Sequence, residues 1–382
     1  MDHRVFLSLI FVLSGTFNVL VVKWASQEQV TGSDGKLHGF QHPVVFTLLM
    51  FLGEFLCFLV FKLIRLISNR RGQVISDLDT ILTPDSSEFS PLSMILPTVL
   101  DTIASILLFT GLYLTYATSF QMIRGAALVF VGIFSTMFLN HTLTGRHWLA
   151  IFTISCGVFN IVCMDVQRVG YDLVLLPYTD QKAILTGDLL IIIAEILHGL
   201  QYVYEEKQLK TSNVAPLQAA GWQGIFGLVI TSLLAICMHF MPAVSPFSES
   251  SRAVFDDLSD LLEGLKENPS LITALIAFTV SCALYNFIGL FIAMYSSSAN
   301  RLLADGLRVY FIWVFVIVME WEIMNLITIM GFIVLQMGIV LYRQALFLDW
   351  YRAAIAHWHR TRYVDLNSEN AAVPNSRPAD VI

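Results

Sequence analysis

The chain contains 382 residues, of which 56% are hydrophobic and 13% are charged, and its mean hydropathy is +0.70. Soluble domains place about a quarter of their residues on charged side chains, so this composition excludes an ordinary soluble enzyme. The formal net charge of -7 provides no basic surface, and no nucleic-acid partner is expected.

Ten apolar stretches are long enough to cross a bilayer, which takes about 20 residues as a helix. An open strand in lipid would leave its backbone N–H and C=O groups unpaired, so we expect all ten stretches to be helices. The sequence therefore predicts an all-α membrane protein. The ten predicted spans cover 4–25, 43–67, 93–117, 118–139, 146–166, 184–206, 215–240, 269–294, 298–320 and 324–343.

The distribution of Lys and Arg predicts the orientation of these spans. With a cytosolic N-terminus, thirteen Lys and Arg residues fall in cytosolic segments and five on the other side, so both termini are expected in the cytosol. A shift of 181 residues aligns Gly125 with Gly306, which indicates two five-helix repeats over about 4–166 and 184–343. Because five is an odd number, the repeats are inverted relative to each other, as in many transporters.

Two further segments follow the ten-helix bundle, which we expect to occupy residues 1–343. Apolar and aromatic residues recur at three- and four-residue steps over 344–363, which predicts an amphipathic helix lying on the cytosolic membrane face. A cytosolic extension packed on loops is the alternative. Residues 364–382 are expected to be disordered. Tyr363 and Leu366 fit a YxxΦ sorting signal on this tail.

Charged side chains inside the spans are candidate functional residues, since a charge at the bilayer centre costs about 2.5–3.5 kcal/mol. On the ninth span, Arg301, Asp305 and Arg308 stand at i, i+4 and i+7 and form one polar stripe. Similar stripes occur on the fourth and sixth spans, and we expect them to converge on an interior substrate site. The candidate members of this site are Asn18, Glu54, Asp101, Gln121, Arg124, Glu195, His198, Arg301, Asp305 and Arg308.

The three arginines of this set are expected to bind anionic groups of a substrate, and Glu195, Asp188 or His198 to carry a coupling proton. Asp188 follows Gly187 near a span start, which favours a position at the membrane interface. The alternative for the whole set is a group of ion pairs that hold the helices in register. The sequence contains no HExxH, GxSxG or Walker A motif and no metal-ligand spacing of cysteines. We therefore expect no enzymatic activity, metal or cofactor.

Seven short segments resemble one family of membrane proteins. They are NVLVVKWA (18–25), FQHP (40–43), MFLGEF (50–55), SFQMIRGA (119–126), TGDLLIIIAEI (186–196), YEEK (204–207) and LLADGLR (302–308). They resemble the drug/metabolite transporter superfamily, specifically solute carrier family 35, subfamily F. The resemblance runs from about residue 4 to residue 343. It implies ten helices in two inverted repeats, cytosolic termini, alternating access and an endolysosomal or mitochondrial membrane.

The sequence therefore predicts a secondary-active transporter of a small polar or charged metabolite in an endolysosomal membrane. A Golgi or mitochondrial membrane is the alternative address, although the first residues lack the Arg-rich amphipathic pattern of a transit peptide. Two other functions stay open, a nucleotide-sugar exchanger whose arginines bind phosphates and a non-transporting membrane adaptor. The expected partners are a small-molecule substrate, the lipid bilayer and a coupling proton, with a homodimer as a further candidate.

Overall fold

The computed structural model describes residues 3–31, 37–71, 89–168, 181–212, 214–244, 246–247, 252–322, 326 and 328–344. These residues are mostly helical, with a short two-stranded hairpin between the first two long helices. The segment 345–382, which contains most of the predicted interfacial helix, the predicted tail and the predicted sorting signal, lies outside the described residues.

Eight helical segments in the described part of the chain are long and apolar enough to cross a membrane, and they coincide with the first eight predicted spans. A 3-10 turn, Pro91–Met94, leads into the third of them, and another, Arg124–Ala126, interrupts the fourth. The helices are α1 His3–Gln27, α2 Pro43–Arg71, α3 Ile95–Leu114, α4 Ala117–Ile123, α5 Ala127–Phe138, α6 Gly145–Arg168, α7 Gln181–Ser212, α8 Pro216–Phe240, α9 Leu258–Glu267, α10 Pro269–Tyr295, α11 Ser298–Asp305, α12 Arg308–Val318 and α13 Thr328–Gln344.

The predicted ninth span, 298–320, is divided into two helices rather than one continuous helix, and its crossing of the membrane stays a prediction. Its first part, α11, ends at Asp305, and α12 begins at Arg308. The N–H of Leu307 donates to the carbonyl of Ala304, only three residues back, at 3.1 Å. This tight bond replaces the regular helical pattern and separates the two parts of the polar stripe. The helix α13 is also shorter than a full span, and the count of ten crossing helices stays a prediction.

The helices α2 and α8 approach each other closely at two glycines of α8. A Cβ added at Gly224 would lie 2.3 Å from the backbone nitrogen of Phe55, and one added at Gly227 would lie 2.2 Å from the ring of Phe51. Real Cβ atoms do not come this close to other heavy atoms, so any larger residue would push the helices apart. This contact fixes the position of the α2 backbone next to Glu54.

We expect Gly224→Ala to destabilise the protein by about 1–3 kcal/mol, because the added methyl group overpacks a contact between two backbones. The melting temperature of the purified full chain in detergent measures the effect. Gly145→Ala is the matched control, since a Cβ at Gly145 would meet no atom within 4 Å. Equal melting temperatures for the two variants would contradict the close approach of α2 and α8.

The loops at one end of the bundle form a small cap. Strand β1, Gln29–Thr31, pairs antiparallel with β2, Leu37–Gly39, and α9 packs against β1. The backbone N–H and the hydroxyl of Thr31 donate to the Glu267 carboxylate at 2.7 and 2.6 Å. The hydrogen bond from the Thr31 hydroxyl has the larger effect and the one from its N–H the smaller, and together they hold the pKa of the Glu267 carboxyl below its usual value. The carboxylate therefore stays charged as the pH falls to values at which a free glutamate begins to protonate.

Candidate functional site: a buried charged cavity

The centre of the bundle contains a cavity of about 70 Å³, to which α1, α2, α3, α4, α7, α8, α10, α11 and α12 contribute side chains. Its wall combines aromatic and aliphatic side chains with a dense set of charged and polar groups. The polar and charged lining residues are Asn18, Glu54, Asp101, Ser105, Arg124, His198, Gln201, Tyr202, Glu205, Gln223, Tyr285, Asn286, Arg301 and Arg308.

Each arginine at the cavity contacts a carboxylate of the protein itself. Arg124 Nε donates to Glu195 at 3.1 Å, and its Nη2 lies 3.9 Å from Asp305. Arg308 donates to the same Asp305 carboxylate. The interruption of the fourth span at Arg124 and of the ninth span next to Arg308 brings both guanidiniums to one acid. The arginines are therefore paired rather than available as unpaired cations.

The third arginine, Arg301, contacts an acid that the sequence analysis did not include. Its Nη1 donates to Glu205 at 3.1 Å, and the guanidinium lies 4.4 Å from the centre of the Tyr202 ring. Glu205 also accepts hydrogen bonds from the side-chain amides of Gln201 at 2.8 Å and Gln223 at 2.7 Å. Three donors thus satisfy this buried carboxylate, which makes its ionised form tolerable away from water.

A histidine lies between two further acids. His198 Nε2 is 3.4 Å from Asp101, its Nδ1 is 3.8 Å from Glu195, and the ring stacks on Tyr202 with centroids 5.5 Å apart. Ser105 also donates its hydroxyl to Asp101 at 3.1 Å. Because Glu195 contacts both His198 and Arg124, the histidine and the arginines form one connected network of charges.

Glu54 differs from the other acids of the cavity. Its Oε1 accepts a hydrogen bond from the side-chain amide of Asn286 at 2.6 Å, whereas its Oε2 has no hydrogen-bond partner among the described residues. The residue is 2% exposed. Within the described part of the chain, Glu54 forms no ion pair with an arginine, lysine or histidine. Each of the other acids of this network forms one, namely Asp101, Glu195, Glu205 and Asp305.

The structure brings nearly all of the predicted site residues together. Seven of them line the cavity, namely Asn18, Glu54, Asp101, Arg124, His198, Arg301 and Arg308. Glu195 and Asp305 lie behind the wall and contact it through Arg124. Gln121 instead lines a neighbouring cavity of about 30 Å³, together with Arg124 and Asp305.

Sequence reasoning missed Glu205, although a signal was present. Glu205 stands seven residues after His198 and ten after Glu195, so it continues the polar stripe of α7 by two further turns. It falls at the end of the predicted sixth span, 184–206, where a charge needs no special explanation. In the structure α7 extends to Ser212, and Glu205 is 2% exposed.

Asp188 is buried within the bundle near the end of α3, and its expected position at the membrane interface stays a prediction. Asp188 is fully buried and accepts a hydrogen bond from the Thr115 hydroxyl at 2.6 Å. It lies more than a turn inside α7, which begins at Gln181, and it contacts the residue that follows the last turn of α3. A second buried acid, Asp165 of α6, accepts from the Ser119 hydroxyl at 2.7 Å and lies close enough to Asp188 to interact with it electrostatically.

Comparison with known proteins decides the family. The family model described as nucleotide-sugar transporter matches residues 47–246. Solute carrier family 35 member F6 of Pongo abelii is 36% identical over 89% of this chain and 88% of its own length, and the protein of the same name from Homo sapiens is 35% identical over the same shares. The chain belongs to solute carrier family 35, subfamily F.

Membership of solute carrier family 35 makes the protein a membrane transporter of a small molecule and not an enzyme, as the sequence predicted. The apolar helices place it in the bilayer as an integral multi-pass protein. A solved crystal structure of a protein aligns with 90% of this chain and 98% of its own, with a TM-score of 0.50 and 14% identity, which indicates a shared fold.

Proposed function

We propose that this member of solute carrier family 35 is a secondary-active carrier that moves a small polar or charged metabolite by alternating access. The observation that carries the proposal is the central cavity, where buried acids and arginines from several helices meet. Charged groups inside a membrane are costly and mark substrate or ion pathways. The family of the relatives favours a carrier over an adaptor.

Two interrupted helices support the proposed inverted repeats. Gly125 and Gly306, which a shift of 181 residues aligns, both lie at the interruption of a membrane helix. Interrupted helices at equivalent positions of two repeats are a recurrent feature of transporter binding sites.

The contacts at the end of the bundle that carries the cap form what we name the Lys23 latch. Lys23 donates to the carbonyls of Leu112 at 3.0 Å and Thr115 at 2.7 Å, where α3 ends. Glu322 accepts from the backbone N–H of Ala117 at 2.7 Å, where α4 begins. A cation at a helix C-terminus and an anion at a helix N-terminus are both stabilising, so the pair holds the α3–α4 turn closed.

The opposite end of the bundle contains a matching set of contacts, the Lys210 latch. Lys210 donates to the carbonyl of Ser296 at 2.8 Å, where α10 ends. Glu206 accepts from the backbone N–H of Ser298 at 2.7 Å, where α11 begins, and also pairs with Lys210 at 2.6 Å.

The two latches hold equivalent turns. Thr115 and Ser296, like Ala117 and Ser298, are 181 residues apart, the shift that relates the proposed repeats. In alternating access we propose that one latch opens while the other stays closed, so that the cavity faces one side of the membrane at a time.

His198 is the proposed site of a coupling proton. It lies between Asp101 and Glu195 in the wall of the cavity, next to the Arg124–Glu195 pair. A proton on His198 would strengthen its contacts with Asp101 and Glu195, and loss of that proton would weaken them. Because Glu195 contacts both His198 and Arg124, a change in the charge of His198 would alter the electrostatic interactions of the arginine that lines the cavity.

The homodimer stays a prediction.

A nucleotide-sugar exchanger of the same fold is the second candidate, and the family model that matches residues 47–246 favours it. The geometry of the cavity favours a smaller solute. Sites for drug-sized ligands have volumes of about 300–1,000 Å³, which is several times the cavity volume found here. The three arginines that would bind phosphates are paired with carboxylates of the chain.

Counterflow exchange in liposomes that contain the purified full chain tests the proposed function. The panel of solutes comprises amino acids, small peptides, organic cations and nucleotide sugars. We expect a small charged solute to exchange and nucleotide sugars not to. Exchange of a nucleotide sugar, stimulated in trans by the matching nucleoside monophosphate, would instead establish the second candidate. No exchange of any solute by a folded, monodisperse protein would contradict the carrier proposal.

The proposed address is the endolysosomal membrane, with both termini in the cytosol. It rests on the YxxΦ pattern at Tyr363 and Leu366 and on the Lys and Arg distribution between loops. We expect Tyr363→Ala to move the tagged full chain from endolysosomes to the cell surface in imaging, because receptors that read this signal need the tyrosine. Tyr351→Ala, outside the pattern, is the control. An endolysosomal Tyr363→Ala protein would contradict the role of this signal.

A further inference from the structure

The charges around the cavity do not balance. Three guanidiniums, those of Arg124, Arg301 and Arg308, face five buried carboxylates. The acids are Glu54, Asp101, Glu195, Glu205 and Asp305. Two carboxylates remain in excess when His198 is neutral, and one remains when it is protonated. An anionic solute would add negative charge to a site that already lacks positive charge.

The excess is located at Glu54. The other four acids each have an arginine or histidine within 4.0 Å, and Glu205 has two amide donors in addition. Glu54 has only the Asn286 amide on Oε1, and its Oε2 has no donor among the described residues. The charged groups that act on it electrostatically are Asp101 of α3, Glu205 of α7 and Arg301 of α11. Two of these three are carboxylates, so the surroundings of Glu54 favour a cation.

The cavity wall near Glu54 fits the rest of such a solute. Phe109, Phe278, Leu108, Met50 and Cys282 line the same cavity and provide an apolar surface for a short hydrocarbon chain. Asn286, which donates to Glu54, holds the carboxylate in place from α10. An unpaired acceptor beside an apolar wall matches a solute with one N–H-bearing cation and a small hydrocarbon body.

We propose that the cavity recognises its solute through a primary ammonium group that donates to Glu54. This assignment rests on the proposed carrier function and narrows its substrate to organic amines. The ammonium supplies the donor that Oε2 lacks, and it neutralises one of the excess carboxylates. In the absence of a solute, a proton on Glu54 serves the same purpose, so ammonium binding displaces one proton from the carboxyl group.

Three probes that differ at one end of a two-carbon chain, short enough for the cavity, test the assignment. They are ethanolamine, ethanediol and glycolate, which carry an ammonium, a hydroxyl and a carboxylate. Isothermal titration calorimetry with the purified full chain measures their dissociation constants. We expect ethanolamine to bind about tenfold or more tightly than the other two, because a charge-assisted hydrogen bond to a buried carboxylate is worth at least that factor. Equal affinities, or tighter binding of the carboxylate probe, would overturn the assignment.

Variants of Glu54 locate the effect. Glu54→Gln should weaken ethanolamine binding about tenfold or more and abolish the preference for it, since the amide has no charge to pair with the ammonium. Glu54→Asp keeps the carboxylate and should keep the order of the three probes, so it decides the matter if Glu54→Gln does not fold. Glu267→Gln is the control, because it removes an exposed carboxylate in the cap. A preference for the amine that survives in Glu54→Gln would overturn the role of Glu54.

Binding and exchange separate this assignment from the carrier proposal. Amine binding by a protein that exchanges no solute in liposomes would overturn the carrier proposal and support the assignment. Exchange of an anionic solute by a protein with no preference for the amine would overturn the assignment and support the carrier.

Discussion

Arg124→Gln is expected to abolish solute exchange and to lower the stability of the protein. Among the described residues Arg124 is the one cation that contacts both Glu195 and Asp305, and it lines the cavity. Removing one partner of a buried ion pair costs about 3–5 kcal/mol, because the other charge is left uncompensated. Counterflow in liposomes measures the exchange, and the melting temperature in detergent measures the stability.

The double variant Arg124→Gln/Glu195→Gln separates the structural contribution of Arg124 from its transport role. It removes one positive and one negative charge, and Asp305 keeps its contact with Arg308. We expect the melting temperature to recover toward that of the wild type while exchange stays absent. If exchange recovered as well, Arg124 would be part of a structural ion pair and would have no role in transport.

Opening of the Lys23 latch is expected to expose the cavity at the end that carries the cap. Lys23→Met removes two charge-assisted hydrogen bonds to Leu112 and Thr115, and the methionine keeps the apolar part of the side chain. Each such bond is worth about 1.5–3 kcal/mol, and 1.4 kcal/mol shifts a two-state equilibrium about tenfold. Lys210→Met should expose the cavity from the opposite end by a smaller factor, because Lys210 is partly in contact with solvent.

Cys282 is a built-in reporter for this experiment, since it lines the cavity and is 4% exposed. A membrane-impermeant maleimide is added to one side of vesicles in which the orientation of the protein is known. The labelling rate at the cap side should rise about tenfold in Lys23→Met, whereas Lys210→Met should raise it from the other side. Cys282→Ser gives the background. Labelling that rises equally from both sides in either variant would contradict two separate latches.

The sequence by itself was sufficient to predict the class of protein and most of the residues that form the site. Apolar runs of about 20 residues have one stable form in a bilayer, a helix, so eight spans could be located from composition alone. Charges inside those runs are rare and costly, and nine of the ten candidate residues accordingly line the cavity or pair with a residue that does. Glu205 was missed because it lies near the end of the predicted sixth span, and the helix α7 extends beyond that end.

Only the tertiary structure decided which charges pair and which one does not. Periodicity places Arg301, Asp305 and Arg308 on one stripe, but the helix is interrupted at Gly306. In the structure Arg301 forms an ion pair with Glu205, whereas Arg308 forms one with Asp305. The Arg301–Glu205 and Arg124–Glu195 pairs join helices distant in the sequence, so no local pattern contains them. The sequence established that charges lie inside the membrane, because their cost depends on residue type. The unpaired state of Glu54 depends on distances between helices, which packing alone sets.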